Sequence, residues 1–478
     1  MPADQPADRP DVFDLLVLGA GSGGYAAALR AAQLGLSVAL VERDRLGGTC
    51  LHRGCIPTKA LLHVAETADA VRDAAELGLT AQLERVDMPA ALAFAARTVR
   101  RLHGGLEQLI RGRGIRVLRG TGRLVGADAV EVDGDDAGRY RARHLVVATG
   151  SRPRRLPGVE VDGQRVLTSD DALQLERVPD SAVVLGGGVI GVEFAGLWRS
   201  LGATVTVVEA LDRLLPAEDE ASSSALHRAW RRRGIDVRTG MRVAGVDAAA
   251  DGVTVQVAAG PSGPTEQVRA EVALVAVGRV PVTDGLGLDA AGVACDRGFV
   301  RVDDRLSTTA PGVWAVGDVV SGLQLAHRGF AHGVAVAERV AAALRGTPEP
   351  APTLPDRLVP RIAYCDPEVA SVGYTEAAAT EEFGADAVRS VTYPLSANGR
   401  SLVLGSPGQV KVVRRVDGPV LGVHAVGRRV GELMGEAGLI VGWDAYPEDV
   451  TPFVHPHPTQ SEAVGEALLA LAGQPLHL

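Results

Sequence analysis

The residues best equipped for chemistry stand in one short stretch, GGTCLHRGCIPTK, residues 47–59. It holds two of the chain's four cysteines, Cys50 and Cys55, five positions apart. It ends on Lys59, one of only two lysines among 49 basic residues; the other is Lys411 and the rest are arginine. Two close thiols can bind metal or cycle between dithiol and disulfide. Zinc requires four good ligands. The chain has 11 histidines but no second close cysteine pair, and Cys295 and Cys365 are isolated. That weighs toward redox chemistry. Five helical residues span about 7.5 Å, whereas bridged Cα atoms lie within about 7 Å. A disulfide here therefore needs a distorted segment, which Gly47, Gly48, Gly54 and Pro57 permit. A short strained loop of this kind is reducible and suits catalysis better than architecture. The run PTKALLHVAETADAVRDAA has helical periodicity, placing the thiols near a helix N-terminus, where thiolate is favoured.

Something must hold such thiols against an electron acceptor. From Asp14 the chain reads DLLVLGAGSGGYAAALRAAQLGLSVALVE, and from Ser181 SAVVLGGGVIGVEFAGLWRSLGATVTVVE. Each is strand, G-x-G-x-x-G turn, helix, strand and acid. The last glycine precedes the acid by 18 residues in both copies, Gly24 to Glu42 and Gly191 to Glu209. This is the dinucleotide-binding fingerprint. Gly19, Gly21 and Gly24 form the first turn, and Gly186, Gly188 and Gly191 the second. Glycine lets the pyrophosphate approach the backbone at a helix N-terminus, and the acid accepts from ribose hydroxyls. Two dinucleotides per chain are expected. Glu209 would repel a 2′-phosphate, so the second should be NAD rather than NADP; Arg213 is read as belonging to the following loop.

At 478 residues the chain exceeds one core, and 46% hydrophobic against 22% charged residues suits a globular protein of several domains. A net charge of −9, with acid and base interspersed, argues against a nucleic-acid partner. No apolar run is long enough for a membrane span. The acidic, Pro-rich opening MPADQPADRPD lacks the apolar core of a signal peptide. It is read as a disordered lead, residues 1–12, and the expected location is cytoplasmic.

The redox stretch resembles that of the flavin disulfide oxidoreductases. The chain from about residue 11 onward is similar to the dihydrolipoamide dehydrogenases, within the class I pyridine nucleotide-disulfide oxidoreductase family. The resemblance extends to LVVATGSRPR (145–154), AVGRVPVT (276–283), TTAPGVWAVGDV (308–319), VPRIAYCDPEVASVGYTE (359–376) and HPHPTQSEAVGEA (455–467), in this order. It implies an α/β fold with two Rossmann-like FAD/NAD(P)-binding domains and a C-terminal α/β dimerisation domain. The expected boundaries are 13–152 for the FAD-binding domain, 153–280 for the NAD-binding domain, 281–350 for a central domain completing the FAD site, and 351–478 for the interface domain, with PEPAPTLPDRLVP (348–360) as the last junction.

The same resemblance implies roles. Cys50 would exchange with substrate and Cys55 would face the flavin, the two forming the redox disulfide. Lys59 would sit by the flavin, paired with Glu193. A compact ammonium suits a tight site where the arginine fork does not, which would account for the retained lysine. His457 would be the catalytic base, contributed by the partner subunit and oriented by Glu462, with His455 a decoy and the His457–Pro458 bond cis. FAD would be held by Gly19, Gly21, Gly24, Glu42, Gly48, Thr49, Lys59, Thr149, Gly150, Gly317 and Asp318. NAD would be held by Gly186, Gly188, Gly191, Glu209, Gly278 and Arg279. The implied reaction oxidises protein-bound dihydrolipoamide with NAD+. The implied partners are a second copy of the chain and lipoyl domains of 2-oxoacid dehydrogenase complexes or the glycine cleavage carrier, with no metal. Rivals are reductases of mycothiol or glutathione type and a diaphorase-like electron-transfer flavoprotein. Mercuric reductase is disfavoured because the C-terminus LALAGQPLHL lacks vicinal cysteines, and glutathione reductase because it normally uses NADPH. The sequence departs from the family at His52 and Arg53, in AHRGFAHG (326–333), and after Pro281; none of these removes a catalytic position.

Overall fold

The computed structural model describes residues 12–260 and 263–478. The expected lead, residues 1–12, lies outside the described residues except for Val12, which opens the first strand. The chain divides into two compact units. The first combines Met1–Pro57, Ala93–Arg152 and Arg279–Asp356; the second combines Thr58–Leu92, Pro153–Gly278 and Arg357–Leu478.

In the first unit, the apolar runs VFDLLVL and VALVE form parallel strands, Val12–Leu18 beside Val38–Glu42. Runs of this composition suit strands covered on both faces. Arg116–Arg119 extends the sheet on one side, and Gly138–Val147 and Val313–Ala315 extend it in parallel on the other. The antiparallel strands Ala129–Asp133 and Thr121–Gly126 close it. Helix Ser22–Gln33 packs its small-residue face, Ala27, Ala28 and Ala31, into the core with Val336, Ala337 and Val340 of helix Ala326–Arg345.

The second unit repeats the motif. Ser181–Leu185 pairs in parallel with Thr204–Val208 and with Val272–Val275. In both copies the register brings the residue before the first glycine opposite the residue before the acid: Leu18 faces Val41, and Leu185 faces Val208. Turn and acid thus emerge at the same carboxyl edge, where α/β sheets bind ligands. The same unit carries an antiparallel sheet in the order Arg361–Ala363, Glu368–Gly373, Val420–Gly427, Gln409–Arg415, Val388–Pro394. Helices Met434–Gly442 and Glu462–Leu471 pack against it. Among the described residues, no helix is long and apolar enough to cross a membrane.

Each unit buries a histidine. His332 lies in the first and His424 in the second, and each has a buried Nδ1 with no hydrogen-bond partner. Burial lowers both from the ordinary 6.5 to about 4; at His332 the Arg328 charge adds to this, and at His424 the Asp219 charge opposes it. Both rings are therefore neutral in the fold, and unfolding takes up protons between these two values. Stability is fully present above about pH 6.5 and falls as the pH drops toward 4. The gap corresponds to roughly 3 kcal/mol for each residue. Urea unfolding at pH 7 and pH 5 should show part of this loss, and His424→Gln should roughly halve it, His332 supplying the rest; a pH-independent midpoint would contradict the assignment.

Candidate active site

The first glycine turn and the redox stretch meet within the first unit. Gly47 N–H donates to the Ala20 carbonyl at 2.8 Å. A Cβ on Gly48 would fall 2.7 Å from Gly21 Cα, so the two backbones touch. Helix Gly48–Arg53 carries Thr49 and Cys50, and Cys55 opens helix Cys55–Arg72. The helical path breaks between the thiols at Gly54, where φ is −150° and ψ −116°. Gly54 turns back far enough that a Cβ there would lie 3.4 Å from Cys50 Cα. This is the compaction that a five-residue spacing demands. Both thiols are half-buried. Tyr25, a residue the sequence reading did not single out, lies close enough for their charges to act on it. Burial first, then Cys50 and Cys55, push its hydroxyl up to about 12.

His52, between the thiols, hydrogen-bonds through Nε2 to the Leu46 carbonyl at 2.9 Å and meets the His103 ring edge-on at 5.0 Å. A carbonyl only accepts, so Nε2 carries the proton. Burial keeps the ring below its ordinary value. This departure from the family pattern therefore adds a neutral group.

The residues proposed for FAD fit a dinucleotide. Helix Ser22–Gln33 has no side-chain cap and no acid in its first turn, which leaves its first N–H groups for a phosphate. A Cβ on Gly24 would collide with the Gly19 carbonyl, whereas one on Gly21 would meet no protein atom within 4 Å. The turn is closed on its inner side and open on its outer. Glu42 is held by Ala20 N–H at 2.8 Å and Asp44 N–H at 2.9 Å, leaving lone pairs for ribose hydroxyls. Thr149 Oγ1 donates to the Val282 carbonyl at 2.7 Å, and Gly150 accepts from Val282 N–H at 2.9 Å. Asp318, in the turn Gly317–Val319, accepts from Ser151 Oγ at 2.6 Å. Arg279, expected among the NAD residues, donates through Nε to the same Ser151 Oγ at 2.7 Å and through Nη2 to the Ser151 carbonyl at 2.8 Å. Ser151 thus links Arg279 to Asp318. Its only sequence signal was its place directly after ATG.

The second turn repeats the first. A Cβ on Gly191 would collide with the Gly186 carbonyl, and one on Gly188 or Gly278 would meet nothing within 4 Å. Helix Val189–Leu201 lacks a side-chain cap and a first-turn acid. Glu209 accepts from Gly187 N–H at 2.6 Å and Leu211 N–H at 2.8 Å, the same grip as at Glu42. Arg213 donates to Pro216 within its own loop.

Also in the second unit, Lys59 Nζ lies 2.7 and 2.9 Å from the Glu193 carboxylate oxygens, and Glu193 is only 6% exposed. Tyr364 completes the cage. Its N–H donates to Glu193 at 3.1 Å, and its ring lies 4.7 Å from Lys59 Nζ. Nothing in the IAYCDP stretch marked Tyr364 beforehand.

His457 and Glu462 are paired at 2.8 Å through Nδ1. A carboxylate accepts, so Nδ1 carries the proton and Nε2 keeps the basic lone pair. Burial opposes ionisation of Glu462, but Thr459 N–H and His457 outweigh it and hold the carboxyl below its ordinary value. The His457 side chain is 79% exposed. His455 differs. Its Nε2 is bound to Glu436 at 2.6 Å, and its ring lies where a side chain on Gly465 would have to go. The His457–Pro458 bond is cis. Among the described residues no group of His, Cys, Asp and Glu could hold a metal ion.

Residues 13–333 match the family described as pyridine nucleotide-disulphide oxidoreductase, and residues 359–468 match the dimerisation domain of the same family. The chain belongs to this family. It is 39% identical over 477 residues to the dihydrolipoyl dehydrogenase of Bacillus subtilis, covering 97% of this chain and 99% of that one. It is 41% identical over 470 residues to the dihydrolipoyl dehydrogenase of Thermus scotoductus, covering 98% and 99%. The crystal structure of LpdA from Mycobacterium tuberculosis superposes with a TM-score of 0.87 at 28% identity, covering 96% of this chain and 99% of that one.

Proposed function

We propose that this chain catalyses the dihydrolipoyl dehydrogenase reaction, oxidising a dihydrolipoyl group with NAD+ in a homodimer that binds FAD and NAD. The observation that carries the reading is the thiol pair folded back at Gly54 and seated against the first glycine turn. It is supported by near-full-length similarity to relatives named for that reaction. In the oxidised state Cys50 and Cys55 form a disulfide. His457 Nε2 removes a proton from one dihydrolipoyl thiol, and Glu462 steadies the resulting imidazolium. The substrate thiolate attacks Cys50, breaking the Cys50–Cys55 bond and forming a mixed disulfide. The second substrate thiol displaces Cys50, so lipoyl disulfide leaves with its two electrons transferred to the cysteine pair. Lys59, four residues after Cys55 on helix Cys55–Arg72 and fixed by Glu193, holds positive charge as negative charge develops. Bound FAD and NAD+ would supply the two-electron acceptance that restores the disulfide.

His457 serves the active site of the partner subunit in this reading, which accounts for a base left open to solvent in its own chain. The lipoyl group would arrive on lipoyl domains of 2-oxoacid dehydrogenase complexes or on the glycine cleavage carrier, in the cytoplasm. The test is NADH formation from dihydrolipoamide by FAD-loaded protein, with NADP+ in parallel. NAD-specific turnover is expected, because Glu209 would face a 2′-phosphate with like charge. No turnover from protein carrying FAD and an intact disulfide would move the substrate to another disulfide.

A further inference from the structure

Both lysines of this arginine-based chain bind carboxylates of the second nucleotide-binding segment. Lys59 holds Glu193. Lys411, on strand Gln409–Arg415, places Nζ 2.8 Å from Asp219 Oδ1 and 2.7 Å from Glu376 Oε2. Lys411 and Asp219 are 8% and 2% exposed. Asp219 is the N-cap of helix Glu220–Arg232. Its Oδ1 accepts from Ala221 N–H at 3.0 Å and its Oδ2 from Glu376 N–H at 3.1 Å. Glu376 is itself held by Ser390 Oγ at 2.8 Å. The neighbouring Glu218 accepts from Ser371 Oγ at 2.5 Å and pairs with Arg361 at 3.2 Å. Three strands and a helix of the C-terminal domain thus grip two consecutive acids. Burial opposes charge on both Lys411 and Asp219, but their mutual hydrogen bond, together with the contacts each makes to Glu376 and the charges nearby, outweighs it, so both stay ionised.

These acids end the span that begins at Glu209. Within it Leu215 N–H donates to the Gly187 carbonyl at 2.9 Å, and Leu214 lies where a Cβ on Gly187 would fall. Leu215 has a φ of 47°, a left-handed conformation that leucine does not hold unaided. The span therefore lies against the second glycine turn, tied to Glu209 at one end and to Asp219 at the other. A compact ammonium satisfies Asp219 and Glu376 together from one nitrogen, whereas a guanidinium presents a larger, planar fork.

We propose that Lys411, acting through Asp219, is a positioning residue for the nucleotide. It fixes residues 210–218 against the second glycine turn and so sets the affinity for NAD, leaving the thiol chemistry untouched. This rests on reading Gly186 to Glu209 as the NAD site. The experiment measures NAD+ binding by calorimetry alongside steady-state kinetics in the FAD-loaded dimer. Lys411→Met should raise both Kd and KM for NAD+ by about 10-fold. Its kcat at saturating NAD+ and its KM for dihydrolipoamide should match wild type. Glu376→Gln should shift NAD+ in the same direction by less, since Asp219 keeps its ammonium, and it carries the test if Lys411→Met does not fold. Wild-type NAD+ affinity in the soluble variant would overturn the proposal, even with a lowered melting temperature, as would equal losses toward both substrates. Failure of the wild-type protein to bind NAD+ would overturn instead the reading of the site beneath it.

Discussion

Cys50→Ser is expected to abolish dihydrolipoamide oxidation while leaving a yellow, FAD-bound protein that still passes electrons from NADH to a dye. The serine hydroxyl is neither a usable nucleophile nor a partner for a disulfide, so the loss should reach at least about four orders of magnitude in kcat/KM. The fold should survive. Cys50 is half-buried on the short helix Gly48–Arg53, and the contact of Gly48 with Gly21 does not involve its side chain. Absorbance of bound flavin, dye reduction and NAD+ reduction by dihydrolipoamide read these three properties separately. Residual lipoyl turnover above about one per cent of wild type would remove Cys50 from the role of exchanging thiol.

His457→Ala should slow thiol exchange by about 10² to 10⁴-fold, the usual worth of a positioned base, and spare NADH-to-dye transfer. His457 is held by Glu462 and otherwise open, so its removal leaves no cavity. Equal loss of both activities would sink the assignment. The subunit origin of the base has a sharper test. Cys50→Ser and His457→Ala chains, unfolded together and reassembled at random, give hybrid dimers in half the population. In each hybrid one site joins an intact Cys50 of one chain to an intact His457 of the other, so about a quarter of wild-type activity should return. No recovery would place Cys50 and His457 of one site on the same chain.

The parts legible in the sequence were those in which spacing alone constrains geometry. The interval from Gly24 to Glu42 matches that from Gly191 to Glu209, and the two acids receive the same pair of backbone hydrogen bonds. The break between the thiols was also legible, because a continuous helix holds Cys50 and Cys55 too far apart. Arg279 follows directly on the second nucleotide-binding segment, and nothing in its sequence neighbourhood signals that its side chain bonds to Ser151 of the first unit. Ser151, Tyr364 and Tyr25 act through contacts made only on folding, and no local pattern announces such contacts. Lys411 had a signal, its rarity, but its carboxylate partners stand 192 and 35 positions earlier in the chain. Nothing local identifies them.

The near-absence of lysine has a further consequence. Acyl-transfer chemistry modifies side-chain amines, and this protein presents only Lys59 and Lys411, each an ammonium clasped by carboxylate. An arginine surface carries the same positive charge without offering an amine to acetyl or succinyl donors. The charge pattern of such a surface would persist through conditions that erode a lysine-rich one, and side-chain amine labelling becomes a readout of two ion pairs, one part-exposed at Lys59 and one buried at Lys411, rather than of general exposure.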